Sequence, residues 1–114
     1  MMIPARPTTY RGIPMRSRLE ASHAARLDNL GLTWEYEPRA FGGRRGQYLP
    51  DFVIEVLDTH VYHEVRPTIA RGFLAMSRMA VIWESEPDAL LMVVVPGIGV
   101  WHGRRDGSWR WISE

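Results

Sequence analysis

Gln47–Pro67, QYLPDFVIEVLDTHVYHEVRP, has the alternating pattern of two β-strands joined by a short turn. The first strand carries Asp51, and the second carries Glu64, Val65 and Arg66. Strand side chains alternate faces, so Glu64 and Arg66 point one way and Val65 points into the opposite layer. A turn near Leu57–Thr59 brings Asp51 roughly opposite Glu64 in antiparallel register. Two carboxylates and a cation on one sheet face form a geometry suited to holding a divalent metal beside a phosphate. Pro50 removes one ladder donor, which predicts a strand start, a bulge or an edge there. Such a break re-aims the side chain next to it.

The bulk properties bound what surrounds this hairpin. A chain of 114 residues suits one domain and can bury a core without covalent staples. At 46% hydrophobic and 24% charged residues, it has an ordinary globular composition. The absence of cysteine excludes disulfides, zinc–thiolate sites and thiol nucleophiles. The apolar run Ala89–Val95 is far too short for a bilayer, and the first residues lack a signal pattern. A cytoplasmic protein with no membrane partner is therefore expected. A formal net charge of +1 rules out a strongly basic coat as the basis of nucleic-acid binding. All 14 basic residues are arginine.

Working outward, residues 1–15 contain three prolines and no apolar period, so they read as an extended N-terminal arm. Residues 16–114 read as a single domain. Ser17 and Glu20 fit a capping box that starts a helix, and Gly31 is its expected stop. At about 100° per residue, Leu19, Glu20, His23, Leu27 and Leu30 fall on one side. Glu20 therefore lies in or beside the inward face, as a cap or as something more. Leu32–Glu37 reads as a strand ended by Pro38, and Arg39–Gly46 as a Gly-rich loop holding Arg44 and Arg45. That loop lacks the Gly-Lys-Ser/Thr ending of a phosphate-binding P-loop. Beside a carboxylate site it is a candidate contact for a phosphate backbone, or simply a solvated loop.

After Arg66, Pro67 and Thr68 start a second helix, Ile69–Trp83, with Phe73, Met76, Ala80 and Trp83 as its expected buried stripe. Arg71, one turn past the hairpin, is a candidate partner for a substrate phosphate. Ala89–Val95 is a central strand by its continuous apolar character. Ile98–His102 and Ser108–Ile112 form a hairpin around the Asp-Gly of Arg104–Gly107. Trp101, Trp109 and Trp111 are expected to cover the end of the core, with base stacking as the alternative.

The order helix, three strands, helix, strand, with Glu20, Pro50-Asp51 and Glu64-Val65-Arg66 at these places, resembles the PD-(D/E)XK nuclease superfamily. The likeness runs over roughly residues 10–95. It is nearest in wording to the small phage and bacterial members akin to transposon-end endonucleases. The segments that carry it are Tyr10-Arg11-Gly12, Arg16-Ser17-Arg18-Leu19-Glu20-Ala21, Trp34-Glu35-Tyr36-Glu37-Pro38 and Tyr48-Leu49-Pro50-Asp51-Phe52. The resemblance implies an α/β fold of the restriction-endonuclease type, an αβββαβ core with a mixed sheet flanked by helices, followed here by a C-terminal β-hairpin. It further implies that Asp51 and Glu64, helped by the Val65 carbonyl, bind Mg²⁺ or Mn²⁺, hard cations that take oxygen ligands. Glu20 would orient the site or hold a ligand water.

The family's lysine is replaced here by Arg66. Arginine keeps the positive charge but is effectively never deprotonated, so it cannot serve as a general base. Losing one preorganised charge contact costs on the order of 3 kcal/mol, or about a hundredfold in rate. Either Arg66 is a working substitute, in a chain that uses no lysine anywhere, or catalysis has been lost and the domain binds DNA or regulates. The leading expectation is a metal-dependent DNA endonuclease with Glu20, Asp51, Glu64 and Arg66 as catalytic residues. Arg44, Arg45 and Arg71 would be its DNA contacts, and a homodimer is compatible with cutting both strands. A small interaction module with coincidental acids is the remaining possibility.

Overall fold

The computed structural model describes residues 6–43, 46–104 and 106–114. The chain forms two units, Met1–Thr33 and Trp34–Glu114.

In the first unit, β1 (Thr8–Tyr10) and β2 (Ile13–Met15) pair antiparallel. Of the residues expected as an extended arm, Thr8–Tyr10 and Ile13–Met15 are extended, but they fold back on each other. The reason is Arg11-Gly12, whose positive φ values of 50° and 81° make a tight hairpin turn. α1 (Arg18–Asn29) follows and packs on both strands. Its start is the expected one: the Ser17 Oγ accepts the Glu20 N–H at 3.1 Å and donates to Glu20 Oε1 at 3.1 Å. Asp28 ties the helix to the β1–β2 hairpin, accepting from Tyr10 Oη at 2.5 Å and Arg11 Nη1 at 3.1 Å. Glu20, Ala21, His23, Ala24 and Leu27 are buried. Leu30 is not, at 66% exposed, because it is the C-cap and lies past the last full turn. Burial, then the nearby charge of Arg26, lowers the His23 pKa to about 4, so this imidazole is neutral at physiological pH.

The second unit contains β3 (Trp34–Tyr36), β4 (Phe41–Gly43), β5 (Gly46–Tyr48), β6 (Phe52–Val56) and β7 (Thr59–Val65). After them come α2 (Ile69–Met79), α3 (Ile82–Ser85), β8 (Leu90–Val95), β9 (Gly99–Gly103) and β10 (Trp109–Ser113). Six strands form one sheet in the order β10-β9-β8-β7-β6-β3, and β4 pairs with β5 separately. Only β7 and β8 run parallel within the six-stranded sheet. A parallel pair needs a crossover, which α2 and α3 provide. The α/β class and the mixed sheet expected from the sequence are observed. The Arg39–Gly46 stretch departs from expectation: much of it is the β4–β5 hairpin rather than a loop. Arg44 and Arg45 lie outside the described residues.

The turn of the β6–β7 hairpin is Leu57-Asp58, both left-handed at φ 50° and 62°. That turn sets Phe52 opposite His63 and Val53 opposite Tyr62. Tyr62 and Val53 therefore share the face that holds the apolar core, where Tyr62 packs with Phe41, Ala75, Met79, Ile82, Leu91 and Val93. Trp101 and Trp109 cover this core, as expected.

The second helix is shorter and rotated relative to the sequence expectation. It ends at Met79, and α3 is a separate turn. The buried positions are Gly72, Ala75 and Met79, while Phe73 is 64% exposed. Hydrophobicity misplaces this stripe because two of the inward residues are small. They are small so that α2 can lie close to β8. A Cβ on Gly72 would come within 2.7 Å of the Trp101 ring, 3.1 Å of Val93 and 3.2 Å of Val95. Alanine normally favours a helix over glycine by about 1 kcal/mol, but here overpacking should win. Gly72→Ala is expected to destabilise the fold by roughly 1–3 kcal/mol. A urea denaturation midpoint no lower than wild type would show that α2 can move away from the sheet at little cost.

Candidate active site

Pro50 is where the site begins. β6 starts only at Phe52, so the ladder opposite the end of β7 stops short. The Arg66 N–H points to β8, donating to the Val94 carbonyl at 2.9 Å. The preceding Val65 N–H points the other way, toward β6, and has no strand partner there. Asp51 supplies one, its Oδ2 accepting the Val65 N–H at 2.8 Å. The Asp51 carbonyl in turn accepts from the Glu37 N–H at 2.8 Å, which fixes the backbone of the break. A proline and an aspartate thus replace one ladder hydrogen bond with a side-chain hydrogen bond, and a carboxylate is drawn into the interior.

Continuing the observed register places Asp51 opposite Glu64, as the sequence suggested. Both are buried, Asp51 at 1% exposure and Glu64 at 0%. Glu64 is on the core face of β7 and lies opposite Val93 of β8. Arg66 bridges the acids. Its Nη1 donates to Asp51 Oδ2 at 3.1 Å and to the Val65 carbonyl at 2.9 Å. Its Nη2 forms an ion pair with Glu64 Oε2. The Arg66 side chain is 28% exposed, so its outer part reaches solvent.

Tyr48, at the end of β5, donates its hydroxyl to Glu64 Oε1. The sequence reading did not single it out. Its signal was there in principle: an aromatic with a polar tip, three residues before Asp51, on a segment ended by Pro50. Glu64 Oε2 has the Arg66 guanidinium against it and accepts no hydrogen bond.

These contacts decide the protonation state. Burial raises the Glu64 pKa most, and the Asp51 carboxylate raises it further, outweighing the opposing pull of Arg66 and the Tyr48 hydroxyl. The Glu64 carboxyl is pushed up to about 8. Burial, and then the Glu64 charge, also raise the Tyr48 pKa, so its phenol keeps its proton. Glu64 therefore keeps its proton near neutral pH, beside a permanent guanidinium cation.

Asp51, Glu64, Val65 and Arg66 are thus brought together. Glu20 belongs to the first unit, in the first turn of α1, where its N–H is capped by Ser17 Oγ and its carboxylate accepts from the Ser17 hydroxyl. Arg71 is in the first turn of α2, exposed, with its backbone N–H capped by Thr68 Oγ1 at 3.2 Å. Among the described residues, no cluster of three or more His, Asp or Glu side chains is placed to hold a metal ion. A second polar cluster, also unforeseen, lies around Glu86. His60 Nδ1 and Tyr62 Oη each lie 2.6 Å from its carboxylate, and Arg39 Nη2 lies 3.1 Å away. Burial alone would raise the Glu86 pKa, but the hydrogen bonds from Tyr62, His60 and Arg39 more than offset it and lower the pKa. Glu86 links the start of β7, the turn before β8 and the segment leading into β4.

Comparisons with protein-family models, with curated proteins and with solved structures return no match.

The Glu64 environment has a measurable signature. In the unfolded chain this carboxyl titrates near 4.5, and in the folded protein near 8. Between those values the folded state binds the extra proton, so this group makes stability fall as pH rises. Its contribution is fully present below the unfolded value and lost through the folded one. Urea denaturation over this range should show a downward slope in wild type that Glu64→Gln removes. Equal slopes for the two proteins would mean that Glu64 is not held protonated.

Proposed function

We propose that this chain is a metal-dependent DNA endonuclease of the PD-(D/E)XK type, centred on Asp51, Glu64 and Arg66. The observation that carries the reading is a pair of wholly buried carboxylates facing each other across adjacent strands, spanned by one guanidinium. Buried ion clusters of this kind are costly compared with an apolar core, which favours a role other than stability. The sequence order that resembles the superfamily supplies the chemistry.

The donor set fits Mg²⁺ or Mn²⁺. It consists only of oxygens, one from Asp51, one from Glu64 and the Val65 carbonyl, and the Glu64 Oε2 lacks a hydrogen bond. Few protein ligands suffice for Mg²⁺, which keeps several waters. A bound divalent ion would supply a water of lowered pKa and polarise the phosphodiester. The same three oxygens face the Arg66 guanidinium, so for Asp51, Glu64 and the Val65 carbonyl to hold a cation Arg66 would have to vacate them. Its partial exposure gives it room, and its charge is then available to a phosphate oxygen. Arg66 takes no proton at any stage. Glu64 must give up its proton, and Tyr48 steadies the carboxylate that remains. Arg71 is assigned as a helper at the DNA backbone.

One observation favours a second reading, a catalytically impaired nuclease-fold protein that binds DNA or regulates. The Arg66 guanidinium already contacts each oxygen assigned to the metal, and it is a counter-ion that cannot be titrated away. In that case the guanidinium has taken the cation's place permanently.

Supercoiled and branched DNA incubated with the protein in Mn²⁺ or Mg²⁺ should be cleaved, and Asp51→Ala or Glu64→Ala should abolish cutting. Arg66→Lys should raise the rate, since arginine fills the place of the family's lysine imperfectly. DNA binding without cleavage, together with no Mn²⁺ uptake by titration calorimetry, would select the second reading. Undiminished cleavage by Asp51→Ala would reject the site.

A further inference from the structure

The two edges of the six-stranded sheet differ in how they are protected. β3 has three residues, is flanked by Glu37 and is ended by Pro38, the usual devices that stop an edge from pairing. β10 has five residues, no proline and a single charge, Arg110. Its hydrogen-bonding parity is fixed by its neighbour β9. The Arg104 N–H donates to the Ser108 carbonyl at 2.8 Å, and the Glu114 N–H donates to the Ile98 carbonyl at 2.9 Å. Even-numbered residues along this strand therefore turn their backbone groups to β9. Trp109, Trp111 and Ser113 turn theirs outward, away from the sheet.

We propose that β10 is a self-association edge, pairing antiparallel with β10 of a second copy about a two-fold axis at Ile112. The sequence around that axis, Arg110-Trp111-Ile112-Ser113-Glu114, is self-complementary. Reversed on itself, it sets Arg110 opposite Glu114 of the second copy, twice by symmetry. Trp111 falls opposite Ser113, and Ile112 falls opposite its own equivalent. Trp111 and Ser113 are the outward-facing residues, so each such pair exchanges both backbone hydrogen bonds. Ile112, 43% exposed, lands in the close, non-hydrogen-bonded position where side chains touch best. An axis at Trp111 would set Arg110 opposite Ile112 and lose both ion pairs, and one at Arg110 would put two arginines face to face. The charge pattern selects a second copy over an arbitrary extended peptide, because the strand carries the complement of its own charges. This inference does not depend on the nuclease reading.

Analytical ultracentrifugation of the whole chain over a concentration series tests it. Wild type is expected to show a monomer–dimer equilibrium. Arg110→Glu alone, or Glu114→Arg alone, puts like charges opposite each other and should weaken the dimer roughly tenfold. The double variant Arg110→Glu/Glu114→Arg should restore it at low salt. Ser113→Pro removes an outward donor without touching the β9 ladder, so it should give a folded monomer by circular dichroism. A wild type that stays monomeric at millimolar concentration overturns the proposal. So does a double variant no better than the single ones, or a dimer that survives Ser113→Pro.

Discussion

Asp51 and Glu64 face each other where β6 and β7 end, and burying two carboxylates side by side is stable only with a counter-charge or a shared proton. The structure uses both. Arg66 contributes a charge that cannot be lost, and burial helps keep a proton on Glu64. Neighbouring features follow from satisfying this pair. Pro50 ends the ladder so that the Asp51 carboxylate can take the Val65 N–H. Tyr48 brings a hydroxyl from a different hairpin to the one acid that lies entirely inside. Remove the acids, and that arrangement of proline, tyrosine and arginine has no common purpose.

The same face of the sheet continues from polar to apolar without a break. Read across the strands, the register aligns Glu64 with Val93, Val93 with Trp101 and Trp101 with Trp111. α2 lies close over the middle of this row because Gly72 and Ala75 leave space for it. The rigidity of the acidic end therefore rests on packing further along the row, in the manner of a functional constellation held by its support. The Glu86 cluster steadies the other end of β7, where His60 and Tyr62 are tied to the turn before β8.

How much of this was legible in the sequence depended on which kind of signal each residue carried. The hairpin register was legible, because strand alternation is strict and a two-residue turn fixes the pairing. The helix start at Ser17 was legible for the same reason, a local device with local chemistry. The buried stripe of α2 was not, since glycine and alanine make no hydrophobic signal and a one-residue rotation still leaves an amphipathic helix. Leu30 was misplaced by a periodicity that ran past the helix end. Tyr48 and Glu86 were missed because their partners are distant along the chain, 16 residues away for Glu64 and 24 for Tyr62. Spacing arguments reach only as far as one hairpin or one helix. Nothing in pattern alone foretold that the Arg66 guanidinium would contact all three oxygens of Asp51, Glu64 and Val65.

Leu57-Asp58 stands at the far end of the hairpin from the acids, with two successive left-handed residues, neither of them glycine. Left-handed backbone is uncommon for a branched side chain, and Leu57 gains little from its place, being 94% exposed. The register that sets Asp51 opposite Glu64 depends on the two-residue turn at Leu57-Asp58. A slip of one residue would send Asp51 or Glu64 to the opposite layer. Whether the two acids ever meet is thus decided by a turn with no part in their chemistry.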